Sequence, residues 1–334
     1  MARKIQHTQF SEARNNKKDE FYTQLSDIDR ELKHYKHHFK DKVVLCNCDD
    51  PRVSNFFHFF SYNFEKYGLK KLIATCYKNQ EMDLFSENKS EKAIYLEYTG
   101  DKNGNNVPDR NEIGIKKLKG DGDFRSKECI ELLKQADIVV TNPPFSLFRE
   151  YVAQLIEYDK KFLIIGNINA ISYKEIFKLI KDDKAWLGMN MGRGISGFIV
   201  PKHYELYGSE ARIDENGNRI VATNNCLWLT NLDNAKRHID LILYKNYTPN
   251  EYPTYANYDA INVDKTKEIP MDYKGEMGVP ITFLDKYNPD QFEIIDINPH
   301  FFTIVEKGLP KPSQLKITGQ KDPYARILIK NKKI

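Results

Sequence analysis

The sequence lacks the hallmarks of membrane, secreted and nucleotide-hydrolysing proteins. Its 334 residues include no apolar run long enough to cross a bilayer, and residues 1–4 lead into a polar stretch rather than the apolar core of a secretion signal. The five cysteines have no framework spacing, which predicts reduced thiols and a cytoplasmic location. A Walker loop is absent, and the turn after the first predicted strand has no Gly-x-Gly-x-x-Gly, which disfavours ATP- and NAD-dependent enzymes.

An excess of charge of one sign is also missing. The net charge is only +4, which excludes a histone-like binder. Basic residues concentrate in residues 305–334, which hold eight Lys or Arg against two acidic residues. This segment could contact phosphates or be a solvated end, and the sequence leaves both open. The cluster of His34, His37 and His38 has no acidic or cysteine partners at a metal-binding spacing, so we expect a solvated helix face and no metal site.

The sequence does contain the alternation of predicted strands and helices that is typical of an α/β protein. The apolar run 42–48 predicts a buried strand, and 71–77 predicts a second strand. Between them, Ser54 predicts the N-cap of an aromatic-rich helix that Gly68 ends. Residues 92–119 then break the rhythm, because two β-rich runs flank a Gly- and Asn-rich turn. This pattern predicts an inserted hairpin.

Later segments continue the α/β pattern. Ser126 and Ser146 predict the N-caps of two more helices, the second with an apolar stripe from Phe148 to Ile156. A further strand and helix are predicted at 162–167 and 173–181. An antiparallel edge of the same sheet is predicted for three more runs, 186–189, 197–201 and 226–230.

The most informative residues are Asn142, Pro143, Pro144 and Phe145. They follow the apolar run 137–141, a predicted buried strand, and two consecutive prolines must end that strand. Open α/β sheets bind ligands at the carboxyl ends of their strands. Asn-Pro-Pro-aromatic at this place is typical of enzymes that methylate a planar exocyclic nitrogen using S-adenosylmethionine.

The chemistry explains these residue types. The amino nitrogen of adenine is a poor nucleophile because its lone pair is delocalised into the ring. The Asn142 side chain and the Pro143 carbonyl would accept its hydrogens and free the lone pair, which is stabilisation by preorganised dipoles. Phe145 would stack on the base, a contact of about 1–3 kcal/mol, once the base is flipped out of the duplex. The structural alternative is a Pro-Pro turn between a strand and a helix.

Several segments, in a fixed order, resemble the EcoRI-type adenine-N6 DNA methyltransferases. The resemblance covers most of the chain and is carried by Asp19–Thr23 (DEFYT), Cys46–Phe57 (CNCDDPRVSNFF), Gly120–Ser126 (GDGDFRS), Asn142–Phe148 (NPPFSLF), Leu227–Leu232 (LWLTNL) and Gly278–Asp285 (GVPITFLD). It implies an α/β fold, with a Rossmann-like S-adenosylmethionine-dependent methyltransferase sheet that has an antiparallel edge and a smaller C-terminal target-recognition region. The implied reaction is site-specific methylation of adenine N6 in a restriction–modification system.

Cofactor-binding residues are implied by the same resemblance, position by position. The segment Phe21-Tyr22-Thr23 resembles the part of the family that closes over the methionine end of S-adenosylmethionine. The turn after the first strand departs from the usual Gly-rich cradle. There, Asn47, Asp49 and Asp50 are the expected contacts: an acid would hold the cofactor's α-amino group, and amides near the helix start would meet its carboxylate. An Asx turn ahead of the helix is the alternative for the two acids.

Two further cofactor residues follow in the chain. Asp123 resembles the acid that accepts the amino group of the cofactor's adenine, and Phe124 would flank that ring. A plain turn is the alternative interpretation of Gly-Asp-Gly-Asp. The end of the second strand, Cys76-Tyr77, has no acid for the cofactor ribose.

The resemblance also divides the chain into functional segments. Residues 1–40 are expected to close over the cofactor, 41–245 to form the catalytic domain and 246–334 to form the target-recognition region. Phe198 is a candidate second aromatic facing the flipped base, with a core position as its alternative. Candidate readers of base edges in the major groove are Arg193, Lys236, Arg237, Asn257 and Lys265.

The expectation is therefore a cytoplasmic monomer that methylates double-stranded DNA, in GAATTC, without metal or membrane and with a cognate restriction endonuclease in the same system. The same motif also serves methylation of RNA bases and of protein glutamine, and these substrates stay open. A cytosine-N4 enzyme would more often carry Ser or Asp at Asn142. A catalytically inactive DNA-binding protein is the alternative from another class.

Overall fold

A computed structural model of the chain describes residues 22–49, 54–75, 93–105, 107–109, 111–190, 195–200, 206, 211–221, 225–298, 315–319 and 325–334. Five residues discussed individually above lie outside these ranges: Phe21, Asp50, Cys76, Tyr77 and Arg193. The described strands are β1 (Tyr22–Thr23), β2 (Val43–Asn47), β3 (Lys71–Thr75), β4 (Ile94–Tyr98), β5 (Gly114–Lys117), β6 (Ile138–Thr141), β7 (Lys161–Asn167), β8 (Trp186–Leu187), β9 (Phe198–Val200), β10 (Arg212–Ile213), β11 (Arg219–Val221), β12 (Cys226–Thr230), β13 (Thr254–Tyr255), β14 (Tyr258–Asn262), β15 (Met277–Pro280), β16 (Phe292–Ile297) and β17 (Arg326–Asn331).

The described α-helices are fewer than the strands. The α-helices are α1 (Leu25–Leu32), α2 (Asn55–Tyr62), α3 (Phe64–Tyr67), α4 (Lys127–Gln135), α5 (Phe148–Glu157) and α6 (Lys174–Lys181). Single 3₁₀ segments occur at Lys33–His38, Phe145–Leu147, Ile168–Ser172, Ala235–His238, Thr266–Glu268 and Ile281–Lys286. The mixture of helices and mixed sheets confirms the predicted α/β class.

The chain forms two compact units. The first contains the residues up to Ile168 together with Asn190–Leu232, and the second contains Asn169–Met189 together with Asp233–Ile334. The long C-terminal segment of the second unit therefore starts at Asp233, ahead of the boundary expected near residue 246. The functional roles given to these segments stay predictions.

Parallel strands form the centre of the main sheet in the first unit. Its strands run in the order β5-β4-β3-β2-β6-β7-β12, with β3, β2, β6 and β7 parallel and the outer pairs antiparallel. Strands β2 and β6 are buried at every residue, as expected for central strands covered on both faces. Strands β4 and β5 are the hairpin that the Gly- and Asn-rich turn predicts.

The predicted antiparallel edge is correct for one run and wrong for another. Strand β12 pairs antiparallel with β7, from Cys226 opposite Asn167 to Thr230 opposite Leu163. Strand β9 instead belongs to a separate sheet with the order β1-β9-β11-β10. Strand β9 pairs with β11 and with β1, which is distant in the sequence. These two strands take up its backbone hydrogen bonds, so β9 does not extend the main sheet.

A five-stranded sheet organises the second unit. Its order is β13-β14-β15-β17-β16, with β14 and β15 parallel and the other pairs antiparallel. Strand β17 occupies an inner position, and its residues Ile327, Leu328 and Ile329 are fully buried. The alternative of a solvated C-terminal end is therefore wrong for Arg326–Asn331, whose apolar residues supply part of a core.

Candidate active site

The Asn-Pro-Pro-Phe element lies at the carboxyl end of the central strands of the first unit. Strands β2 and β6 are parallel neighbours, with Val44 opposite Ile138. Asn47 ends β2 and Asn142 directly follows β6, so both amides lie at the same edge of the sheet. Both residues are buried, with exposed fractions of 7% and 8%. A predicted cofactor residue and the predicted catalytic amide are thus neighbours.

The two prolines shape the backbone after β6. Pro143 is buried, Pro144 is half-buried and the Pro144 carbonyl accepts from the backbone N–H of Leu147 at 3.0 Å. This bond closes the 3₁₀ turn Phe145–Leu147, and α5 starts only at Phe148. Ser146 lies inside the turn and is exposed, so its predicted N-cap role is wrong.

Two aromatic rings meet beside this turn. The centroids of Phe145 and Phe198 are 6.4 Å apart and their planes meet at 70°, an edge-to-face arrangement. Phe145 is half-buried, whereas Phe198 is 1% exposed. Phe198 starts β9 and lies opposite Thr23 of β1. The structure therefore brings together the two predicted base-facing aromatics and part of the predicted cofactor segment, while their contacts with a base stay a prediction.

A buried tyrosine connects the two halves of the site. Tyr151, fully buried on α5, donates its hydroxyl to Oδ1 of Asn47 at 2.5 Å, and burial raises the pKa of this hydroxyl. The Tyr151 ring also packs edge-on against Phe124, with centroids 5.1 Å apart. From the sequence, Tyr151 is predicted only to belong to the apolar stripe from Phe148 to Ile156. The signal that could have found it is the hydroxyl, because a buried tyrosine needs a polar partner.

The last residue of the predicted apolar stripe, Ile156, is not buried. Ile156, predicted to be buried with Val152 and Leu155, is 36% exposed. Ile156 lies outside the buried face of α5, which is formed by Phe148, Tyr151, Val152 and Leu155.

The cysteines near the site are neutral thiols. Burial, together with the neighbouring Asp49 carboxylate, raises the pKa of both Cys46 and Cys48. Among the described residues, Cys46, Cys48 and Cys129 form no disulfide. Raised thiol pKa values disfavour nucleophilic cysteine chemistry at this edge of the sheet.

Thr23 offers a polar atom suited to a ligand. Its backbone carbonyl accepts from Asn55 Nδ2 at 2.8 Å, which anchors β1 to the start of α2. The residue is 1% exposed, and its Oγ1 atom has no hydrogen-bond partner among the described residues. A buried hydroxyl without a partner is costly unless a bound group satisfies it.

The turn after β2 holds one predicted acid close to α2. Asp49 is 9% exposed, and its Oδ2 atom accepts from the Ser54 hydroxyl at 3.4 Å. Ser54 occupies the predicted N-cap position of α2, but its side chain makes no capping bond to the helix. The serine side chain therefore orients the carboxylate instead of satisfying a helix amide.

Asp123 is engaged by a neighbouring arginine. Its two carboxylate oxygens accept from Arg125 Nε at 2.9 Å and from Arg125 Nη2 at 2.7 Å, and Oδ1 also accepts from the Arg125 backbone N–H at 2.8 Å. The hydrogen bonds from Arg125 lower the pKa of Asp123. The carboxylate is thus an ionised acceptor within an Asx turn. This geometry fits the turn interpretation, and the cofactor role stays a prediction.

Arg237, a candidate base reader, is buried within the second unit. Its guanidinium lies 3.5 Å from the centre of the Trp186 ring and pairs with Asp183 and Asp233. Only 10% of its side chain is exposed. A stacked and doubly paired guanidinium has little freedom to reach a base edge, so the structure favours a packing role for Arg237.

The other candidates of the second unit differ in how accessible they are. Lys236 donates to the Met189 carbonyl at 3.0 Å and pairs with Asp285, which ties it to its own unit. The Asn257 side chain accepts from a backbone N–H at 3.0 Å. Lys265 keeps 65% of its side chain exposed. Lys265 is therefore the most accessible of these cations for a DNA contact.

Two findings concern membranes and metals. Among the described residues, no helix has both the length and the apolar character needed to cross a membrane. In the same part of the chain, His, Cys, Asp and Glu side chains form no group of three or more that could hold a metal ion.

The fold and the site define a class: an α/β protein with an amide, two prolines and an aromatic ring at the carboxyl end of a central strand. The model of one family, described as adenine-specific methyltransferase EcoRI, matches residues 9–332. The chain belongs to this family, which confirms both the predicted resemblance and the predicted enzyme class, an adenine-specific methyltransferase.

Individual relatives agree with this assignment. The chain is 58% identical to the type II methyltransferase M.EcoRI of Escherichia coli, over 100% of this chain and 99% of that protein. It is 39% identical to M.MgeORF184P of Mycoplasma genitalium over 97% and 99% of the two chains, and 40% identical to M.MpnI of Mycoplasma pneumoniae over 87% and 86%. Both are also type II methyltransferases. No solved structure matches the chain at a significant level.

Proposed function

We propose that this adenine-specific methyltransferase transfers a methyl group from S-adenosylmethionine to N6 of a flipped-out adenine in double-stranded DNA. The observation that carries the proposal is the meeting of Asn47, Asn142 and the Phe145–Phe198 pair at one edge of the main sheet. Family membership supplies the reaction, and the arrangement of these side chains supports their roles in it.

The central parallel strands support a Rossmann-like methyltransferase sheet with its ligands at the carboxyl ends. The residues present fit the cofactor, because Thr23 holds a buried hydroxyl without a partner and Asn47 a buried amide. When bound, S-adenosylmethionine supplies a methyl group activated by its sulfonium centre. Tyr22 and Thr23 would close over its methionine end, and the Asp49 carboxylate would hold its α-amino group. The Asn47 amide would meet its carboxylate, and Phe124 would flank its adenine ring.

Catalysis would rest on preorganised acceptors rather than on a strong base. Oδ1 of Asn142 and the Pro143 carbonyl accept the two hydrogens of the adenine amino group, which makes the nitrogen lone pair available. Burial of Asn142 strengthens these hydrogen bonds because the local dielectric is low. Phe145 stacks on the base, and Phe198 supports Phe145 edge-on.

The target is proposed to be GAATTC, methylated at an inner adenine, because the chain is similar to M.EcoRI along its full length. The second unit would contribute the target-recognition surface, with exposed Lys265 on a phosphate or a base edge. We expect the protein to act as a monomer in the cytoplasm, within a system that also contains a cognate restriction endonuclease.

Asn142→Ala tests the catalytic assignment. The variant should bind S-adenosylmethionine and DNA as the parent does, while its single-turnover rate falls by about 10²–10³, as when one transition-state hydrogen bond is removed. Asn111→Ala, at an exposed position between β4 and β5, is the matched control and should keep the parental rate. Retention of parental turnover in Asn142→Ala, with binding intact, would contradict the role of this amide.

A further inference from the structure

Helix α1 carries two buried acidic residues on one face. Asp27 and Glu31 are four residues apart, so they lie on one side of the helix, and Gln24 precedes them by one turn. Both acids are 0% exposed. None of the three belongs to the proposed cofactor or base contacts, so the burial of the two acids calls for another explanation.

The first contact of this face is with the residues that precede β9. Oδ2 of Asp27 accepts from the backbone N–H of Ser196 at 2.7 Å and from its hydroxyl at 2.9 Å. Nε2 of Gln24 donates to the Ser196 hydroxyl and to the Gly197 carbonyl, both at 2.8 Å. Four hydrogen bonds therefore fix two consecutive residues, Ser196 and Gly197.

Glu31 makes equivalent contacts further along the helix. Its Oε2 atom accepts from the backbone N–H of Asn190 at 3.1 Å and from Asn190 Nδ2 at 2.8 Å. Its Oε1 atom accepts from the Tyr35 hydroxyl at 3.0 Å. One helix thus holds the chain at Asn190 and again at Ser196.

Burying a carboxylate is energetically unfavourable, and apolar packing of the same volume is often at least as stabilising. Burial raises the pKa of Asp27 despite its bonds to Ser196 and the nearby Arg30 guanidinium. A contribution to stability alone therefore explains the carboxylate poorly. Hydrogen bonds to a backbone N–H do something that apolar packing cannot, because they fix the position and direction of one particular residue.

The residue directly after Ser196 and Gly197 is Phe198, whose ring meets Phe145. Phe198 is also held opposite Thr23 in the pairing of β9 with β1. We propose that Asp27 is a positioning residue for methyl transfer, which fixes residues 196 and 197 so that Phe198 supports Phe145 in the adenine pocket. This inference rests on the proposed function, because it assumes that Phe145 stacks on the target base.

The test is a double-mutant cycle between Asp27→Ala and Phe198→Leu, read as single-turnover methyl transfer at saturating DNA and cofactor. We expect Asp27→Ala alone to lower the rate by on the order of 10- to 100-fold, the scale of a misplaced site group. In the Phe198→Leu background the same substitution should lower the rate by less than about threefold, because the group it positions is already gone. Equal losses in both backgrounds would overturn the proposal.

A control and a milder variant separate positioning from folding. Asp29→Ala removes an exposed carboxylate from the same helix and should keep the parental rate and the parental unfolding midpoint. If Asp27→Ala does not fold, Ser196→Ala takes its place in the cycle, because it removes the hydroxyl bonds and leaves the backbone bond. Its loss should be several-fold and should also disappear in the Phe198→Leu background. A loss that persists there would count against the proposal.

Failure of this inference is distinguishable from failure of the proposed function. If Phe198→Leu and Phe145→Ala both keep the parental rate, the aromatic base pocket itself is wrong, and the role of Asp27 falls with it. If those variants are slow but the Asp27→Ala loss is independent of Phe198, the pocket stands and only the positioning role is refuted. Asp27→Ala should also bind S-adenosylmethionine with an affinity within about threefold of the parent, and a much larger loss would place its effect on the cofactor instead.

Discussion

Replacing Gly166 by alanine would place a methyl group in space that Phe148 already occupies. A Cβ atom at Gly166 lies 2.6 Å from Cζ and 2.7 Å from Cε2 of the Phe148 ring, whereas ordinary contacts begin at 3.4 Å. To restore an ordinary contact the ring would have to retreat by 0.8 Å, the difference between 3.4 and 2.6 Å. Phe148 is 2% exposed at the start of α5, so it has little room to move.

Two effects oppose each other at Gly166. Alanine restricts the unfolded chain and so favours folding by about 0.4–1 kcal/mol, whereas overpacking a core costs about 1–3 kcal/mol. We expect overpacking to prevail, with a net destabilisation of about 1–2 kcal/mol. Because α5 follows the Phe145–Leu147 turn directly, a displaced Phe148 should also disturb Phe145 and lower the rate of methyl transfer.

Denaturant unfolding of the parent and Gly166→Ala measures the stability change, with Gly114→Ala as the matched control. Gly114 also lies in a strand, but the nearest atom to its added Cβ is the Glu97 carbonyl oxygen at 3.6 Å, an ordinary contact. The control lacks the overpacking cost, so it should be as stable as the parent or more stable by up to about 1 kcal/mol. Phe148→Leu should relieve part of the loss in the double variant. A Gly166→Ala protein as stable as the parent would refute the packing argument.

Three further predictions concern the site. Phe145→Ala should slow methyl transfer less on a duplex whose target adenine is mispaired, since that base flips more easily, and equal losses on paired and mispaired duplexes would argue against stacking. Tyr151→Phe removes the hydroxyl that donates to buried Asn47, so it should lower the free energy of unfolding by about 1–3 kcal/mol, and an unchanged denaturation midpoint would contradict this. The Arg125 guanidinium lowers the pKa of Asp123 in the folded protein. The pair therefore stabilises the fold fully at pH values above the unfolded-state pKa of about 3.9, and this stabilisation is lost as the pH falls through the lower folded-state pKa. The difference in unfolding midpoint between the parent and Asp123→Asn should therefore be larger at pH 7 than near ~3, and a difference that grows in acid would show the opposite linkage.

The elements around the site could be predicted where their signals are local. The apolar run 42–48 gives β2, and Ser126 caps α4 by accepting from the Cys129 N–H at 3.3 Å. Ser146 has the same residue type, but the two prolines before it force a 3₁₀ turn and move the helix start to Phe148. A cap prediction therefore holds only where the preceding backbone can enter the helix directly.

Features that depend on distant partners could not be predicted in this way. Strand β1 pairs Thr23 with Phe198, and α1 buries Asp27 and Glu31 against residues near 190 and 196. Acidic residues on a short helix are usually solvated, so nothing local in the sequence indicates this polar face. The position of Phe198 beside Phe145 follows from these long-range contacts.

The candidate base readers show the same limit. Arginine beside lysine near residue 236 suggested a surface for DNA, because both residue types bind phosphates and base edges. The stacking of Arg237 on Trp186 and its pairing with Asp183 arise only once distant segments fold together. The residue type thus indicates which groups a side chain can bind. Only the folded structure shows that the Arg237 guanidinium is already occupied by partners within the chain.

The most direct test of the central claim is methyl transfer from labelled S-adenosylmethionine to two unmethylated duplexes that differ only in the presence of GAATTC, followed by nucleoside analysis. The account predicts N6-methyladenine in the GAATTC duplex alone, and loss of that product with Asn142→Ala. Product in mixed genomic DNA but not in the GAATTC duplex would refute the proposed specificity and keep the reaction. Absence of transfer to any DNA by a protein that binds the cofactor would contradict DNA as the substrate and point to RNA or protein glutamine.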